Sequence, residues 1–425
     1  MPSALLVLTL LVGSPSLSSP TALEVLGQLR EREHAARLSG DQRARLEAIG
    51  ALVKLLNGAP DALAAEARAF AEAGEAEHAL EALGQLADLG QADHDLLTGK
   101  THPFATLEEQ PGYRSILERA AGNEAPVSRA ETAFAFSESE AGLLPEDIDY
   151  DPRTGTFLVT SVLERKIVRV HLDGKSADFA RSPSRWPMFA VRVDARRGLL
   201  WATEVALDGF TAAPKSDWGR SAVLCFDLRT GALRRRIEGP PRSTLGDMVL
   251  TREGVPLVSD GDGGGLYRVR GDRLERLDAG DLISPQTAAM LPDGRHALVP
   301  DYARGVGVLD LAGGPARWLD VGTPARHSLH GIDGLYFDRG SLIAIQNGAS
   351  PRRVVRFRLD PALTTVVSEE IVERATATLG DPTHGVVVGK YFYYLAGTGW
   401  SELDAHGDLE PGSTLRPARV MRFQL

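Results

Sequence analysis

The stretch EDIDYDPRTGTFLVTSV, residues 146–162, decides the fold. An alternating apolar strand enters behind an acid, Glu146, a polar turn follows at Thr154-Gly155, and a second β-rich run comes next. Alternation with a period of two predicts a half-buried strand, and a glycine turn between two such runs predicts a hairpin. The pattern recurs as FAVRVDARRGLLWATEV, GDMVLTREGVPLVSDG, QTAAMLPDGRHALVPDY, IDGLYFDRGSLIAIQNG and HGVVVGKYFYYLAG, and a third strand such as KIVRVHL or RVVRFRL follows most copies. The copies begin near Glu146, Phe189, Gly246, Gln286, Ile332 and His384, about 40 to 57 residues apart, the spacing of propeller blades. Six copies predict a six-bladed β-propeller. The chain ends with the third strand of the last copy, while ETAFAFSES, residues 131–139, precedes the first. That early strand is expected to complete the last blade and close the ring, removing two open sheet edges.

Upstream the period differs. Residues 21–125 are rich in Ala, Leu and Glu, with apolar positions three and four apart in LEAIGALVKLL and HALEALGQLADL, which predicts amphipathic helices. Residues 61–90 resemble a tetratricopeptide helix pair, with Phe70, Gly74, Ala79 and Leu83 where that repeat packs its two helices. A generic helical hairpin accounts for the same pattern. HPFATLEEQPGYRSILERA, residues 102–120, reads as a short helical tail. The period changes past GNEAPVSRA, residues 122–130, so the fold class is α + all-β: helical hairpins over 21–125, then a propeller over 126–425, as separate units.

At the N-terminus, ALLVLTLLVG followed by small, turn-forming residues predicts an export signal over residues 1–20 and a periplasmic or secreted protein, although MPS carries no basic residue. A buried helix is the alternative. The run is too short to span a bilayer. The 425 residues carry 43% hydrophobic and 24% charged side chains and a net charge of −10, a globular composition without the basic footprint of a nucleic-acid binder. The single cysteine, Cys225, sits in an apolar strand and reads as packing.

In a propeller the innermost strands line a central channel. Glu146, Asp247, Gln286, Asp333 and His384 all stand at or beside the start of an inner strand, so five distant positions converge on one mouth. Carboxylate and amide oxygens are hard donors suited to a divalent ion. Any one of these acids alone reads as a turn former or strand cap, as Asp151, Asp194 and Asp293 do; together they predict a site. His327 and His330 lie near the same mouth, but the spacing in HSLHG is weak evidence for a metal. A surface or hydrogen-bonding role is expected for them, and His384 is a candidate general base. SDGDGGG, residues 259–265, lacks the spaced acids of a calcium loop and reads as a tight turn. Trp186, Trp201 and Trp400 either rim the mouth or pack between blades.

Residues 131–425 resemble the senescence-marker-protein/gluconolactonase family, which includes regucalcin and lactonases, through PEDIDYDPRTGTFLV, SPQTAAMLPDGRHALVPDY and IDGLYFDRGSLIAIQNG with VVRFRLDP. The resemblance implies that an acid in the first copy, an Asn in the fourth and an Asp in the fifth hold a divalent metal, Ca²⁺ first, which map onto Glu146, Gln286 and Asp333. Gln286 departs by one methylene. The family's Asn-Asp pair in the third copy is Gly246-Asp247 here, so the substrate-facing Asn is missing. The implied activity is metal-dependent hydrolysis of a lactone or similar small ester, with Asp247 or His384 handling protons. The alternative is a non-catalytic propeller that binds a small molecule or a protein, with the helices as a docking surface.

Overall fold

The computed structural model describes residues 19–92, 104–322 and 327–425. The expected export signal lies outside the described residues up to position 18. Among the described residues five α-helices come first: α1 (Ala22–Ser39), α2 (Gln42–Leu55), α3 (Pro60–Glu72), α4 (Ala76–Asp88) and α5 (Tyr113–Asn123). α1 opens on a capping box, Thr21 with Glu24, and stops at Gly40, whose φ of +71° suits glycine. Leu63, Ala67, Ala79, Leu83 and Leu86 seal α3 against α4, and Tyr113 and Ile116 of α5 join the same core. Gly74 turns the pair with φ +78°, as the repeat-like spacing predicts.

Six antiparallel sheets follow, one per predicted copy. Their innermost strands are Pro145–Asp151, Met188–Asp194, Leu245–Leu250, Ala289–Met290, Gly334–Asp338 and Gly385–Val388. In blades one to five each next strand in the chain lies one step outward. Blade six takes its outermost strand from Glu131–Ala135, paired with the final strand as Glu131↔Arg422, Thr132↔Met421 and Phe134↔Val420. This is the expected closure. It is also held by packing: Phe134 and Phe136 are buried with Phe157 and Tyr393 between blades six and one. Each such ring contributes about 1.5–3 kcal/mol of burial.

The junction between helices and propeller is itself ordered structure. Val127–Ser128 adds a fifth strand to the outside of blade five, and Arg374 donates to the carbonyls of Gly122 and Ala125. The helical unit sits on the end of the ring where the inner strands begin. Its contacts fall on the loops of that end: Ala22 N–H donates to Gly280 O at 2.7 Å, Arg304 Nε to Leu55 O at 2.9 Å, and Ala92 N–H to Ser350 O at 2.7 Å. Leu26, Leu56, Ala59 and Ala62 pack there on Ile283. The helices therefore roof blades four and five. Two long loops, residues 207–219 and 397–418, roof the opposite side, joined by Thr211 N–H donating to His406 O at 2.9 Å.

Candidate metal centre at the channel mouth

The inner strands start with irregular pairing. Register shifts fall between Pro145 and Ile148 in blade one and between Leu245 and Asp247 in blade three. A bulge turns neighbouring side chains out of strict alternation, which lets Glu146 and Asp147 both enter the interior. Asp147 stitches blade one to blade two, accepting from Val191 N–H at 2.8 Å and from Arg192 Nη1 at 2.5 Å.

Glu146, Asp247, Asp333 and His384 meet in the channel, each less than one tenth exposed. His384, from blade six, spans the channel to blade three: its Nε2 lies 2.8 Å from Asp247 Oδ1, and its Nδ1 lies 3.0 Å from the backbone oxygen of Glu146. A carbonyl oxygen only accepts. Asp247 Oδ1 also accepts from Thr287 Oγ1 at 2.5 Å. Both imidazole nitrogens thus face acceptors, and the arrangement is satisfied when both carry protons. Burial opposes that charge, but Asp333, Asp147 and Asp247 raise the imidazole pKa well above its ordinary value. In this state His384 has no lone pair for a metal and no capacity to take a proton; its available proton chemistry is donation.

Glu146 and Asp333 are each anchored through one oxygen. Trp400 Nε1 donates to Glu146 Oε2 at 2.6 Å, and Asn347 Nδ2 to Asp333 Oδ2 at 2.7 Å. Among the described residues no hydrogen bond reaches the other oxygens, Glu146 Oε1 and Asp333 Oδ1, which lie 4.0 and 3.9 Å from the His384 ring nitrogens. Burial, then each other's charge, pushes the Glu146 carboxyl up to about 8. Burial, with Asp247 and Asp147 nearby, pushes Asp333 up to about 7. Ligand atoms of Glu146, Asp333 and His384 lie within 4.8 Å of one another. Two buried carboxylates with free, converging oxygens fit a hard divalent cation, which would remove the cost of their charge.

The other expected residues are placed as follows. Gln286 turns its Nε2 to Ser284, 3.2 Å from Oγ and 3.3 Å from the carbonyl, and no described hydrogen bond joins it to the acids. Gly246 leaves open space beside Asp247, with Thr244 O the nearest atom at 4.0 Å from a built Cβ. His327 pairs with Glu369, and His330 donates to Leu56 O at the helical interface. Of the three tryptophans, Trp400 reaches the site, while Trp186 donates to Asp217 and Trp201 packs between blades two and three. Asp151, Asp194 and Asp293 accept from the backbone of their turns, and Asp260 does so within SDGDGGG. Cys225 is buried packing. Sequence reasoning missed Asn347 and Tyr302, whose hydroxyl donates to Asn347 Oδ1 at 3.0 Å; both directly follow the second strand of their copies, whereas the sequence reading looked only at the starts of the inner strands.

No family model and no curated protein matches the chain. Solved structures similar to it include a Thermus thermophilus protein named as an oxidoreductase (glucose dehydrogenase), at 19% identity over 69% of this chain and 99% of that one, with a TM-score of 0.48. A luciferin-regenerating enzyme matches at 15% identity over 70% and 95%, with a TM-score of 0.48. A Xanthomonas campestris gluconolactonase matches at 16% over 71% and 98%, with a TM-score of 0.46. At these values the likeness carries no argument, and the fold rests on the six sheets themselves. No described helix is long and apolar enough to cross a membrane.

Proposed function

We propose that the channel mouth is a divalent-cation site, Ca²⁺ first, serving hydrolysis of a lactone or similar small ester. The observation that carries the reading is the pair of unengaged oxygens, Glu146 Oε1 and Asp333 Oδ1, on two buried carboxylates anchored from behind by Trp400 and Asn347. The two carboxylates hold the ion, which when bound supplies Lewis-acid polarisation of an ester carbonyl and lowers the pKa of a bound water, the nucleophile that hydrolysis requires. Asp247 and the Glu146 carbonyl hold both His384 N–H groups and orient the ring beside the two carboxylates. Gln286 joins the ligand set if its amide leaves Ser284. The lactone as substrate class comes from the motif resemblance, and export to the periplasm or medium from the apolar N-terminal run.

Purified full-length chain tests this by metal analysis, by melting with Ca²⁺, Mg²⁺, Mn²⁺ or Zn²⁺, and by a lactone panel with and without chelator. A cation at 100 times its Kd stabilises by about 2.7 kcal/mol, and Glu146→Gln and Asp333→Asn are expected to abolish that shift while remaining folded. Metal-free purification with no melting shift sinks the proposal. A second reading, a non-catalytic binding propeller, is favoured by Gly246, which offers no side chain to a substrate, and by Gln286, whose amide is committed to Ser284. Ligand binding without turnover selects it.

A further inference from the structure

A cleft of about 500 Å³ lies where the helical unit meets the mouth. One wall is Pro60 and Asp61 of α3 with Gln91 just past α4; the other is the blade-five turn from Asn347 to Arg352, with the loop around Thr376 and Leu379 as its side. The cleft reaches the candidate centre through Asn347, which lines it and also holds Asp333. Tyr302 packs against Gly348 of the cleft wall and donates to Asn347 Oδ1 at 3.0 Å.

Gln91 is the informative residue. It is only 6% exposed, and its Oε1 accepts from Ser350 N–H at 3.1 Å. A backbone N–H can only donate, so that contact fixes which end of the amide is oxygen. The NH₂ end has no partner among the described residues although it is buried. A buried donor without an acceptor is costly, and Gln91 lines the cleft, so a small rotation of its side chain would bring the sealed NH₂ to an acceptor carried by a ligand. The charge around it narrows the ligand. Arg352 is already paired with Asp381 at 2.5 Å, while Asp61 is exposed with no described ion pair, so the surroundings lean negative.

We infer that this cleft is a recognition subsite for the part of a small ligand remote from the channel: a neutral, oxygen-rich group whose acceptor takes the Gln91 amide. The helical unit then selects the ligand. The inference rests on the small-molecule reading of the mouth and adds to it a specificity residue from outside the propeller.

Isothermal titration of the full-length chain in chelator, with ring probes that do not hydrolyse, tests it. A hydroxylated six-membered lactam is expected to bind, and the bare ring, δ-valerolactam, about tenfold more weakly. Gln91→Met is expected to weaken the hydroxylated probe about five- to tenfold, the worth of one hydrogen bond with its desolvation, and to leave the bare ring unchanged. Asp61→Lys, at an exposed position, is expected to strengthen binding of the open-chain carboxylate gluconate about threefold or more at low salt. It decides the question if Gln91→Met fails to fold. Failure of the hydroxylated lactam to bind better than the bare ring, equal binding to Gln91→Met, or indifference of gluconate to Asp61→Lys overturns the subsite. Cation-induced melting of the same variants is read separately. If it persists while the probes ignore Gln91, the subsite alone falls; if it is absent while they respond, the hydrolase reading alone falls.

Discussion

Replacing Arg353 with Met tests how the helical unit is held over the mouth. Arg353 is 1% exposed and makes no described salt bridge. Its Nε donates to Gln346 Oε1 at 2.8 Å, and its two terminal nitrogens reach Gly90 O and Leu89 O at 3.3 Å each. Those carbonyls end α4, where the helix dipole is negative and backbone acceptors lack intrahelical donors. Burial pulls the guanidinium pKa down, so the cation depends on these three acceptors. The short bond is worth about 2 kcal/mol and the two longer ones about 1 kcal/mol each. Met fills the stem volume and relieves the buried charge, leaving a net loss of about 3 kcal/mol. Urea unfolding should show the lower midpoint with an unchanged slope. Arg353→Lys should not restore it, because one ammonium cannot replace a planar fork spread over three acceptors. A loss below about 1 kcal/mol, or full rescue by Lys, would refute the account.

Three further outcomes are expected. A chain beginning at Gly142 lacks the strand Glu131–Ala135 and should be insoluble or far less stable than one beginning at Val127; equal stability would remove the closure from the argument. His330 is pushed down to about 4 by burial, which outweighs its Nε2 bond to Leu56 O, a bond that favours the charged form; its Nδ1 has no partner among the described residues. Its folded pKa lies below the unfolded value of 6.5, so the unfolded chain binds more protons in that window, and stability should fall as pH drops from 6.5 toward 4; a His330→Gln variant with the same acid sensitivity would count against this. At neutral pH in chelator, ¹⁵N spectra should show both His384 ring nitrogens protonated, and Asp333→Asn, which removes the largest charge favouring that state, should lower the pH at which one proton is lost; a single protonated nitrogen in the wild type would return His384 to the role of base.

The blades were legible because the hairpin pattern repeats and each copy carries its own alternation. Convergence of Glu146, Asp247, Asp333 and His384 followed from the same repeat, since equal positions on inner strands must meet at one axis. What each side chain does there was not legible. The double donation by His384 depends on a backbone oxygen from blade one and a carboxylate from blade three, neither of which has a sequence signature. Gln286 turns away because Ser284, two residues earlier, offers its amide nearer partners. The cover over the mouth was hidden for a different reason: amphipathic spacing says which face of a helix is apolar and not what covers it. His330, Arg304 and Arg353 show their purpose only once the ends of α2 and α4 are set beside them.

The closing strand carries a consequence for biogenesis. Glu131 leaves the ribosome early, and its partner Arg422 follows 291 residues later. Until then the strand Glu131–Ala135 has no mate and every blade between them is built on an open arc. Such long-range pairing is slow and leaves sticky edges exposed while it waits. Val127–Ser128 can dock on blade five before blade six exists, which would park the waiting strand beside its future partner. A ring built this way closes only once Arg419–Gln424 is made, so losing that strand should be as damaging as losing Glu131–Ala135.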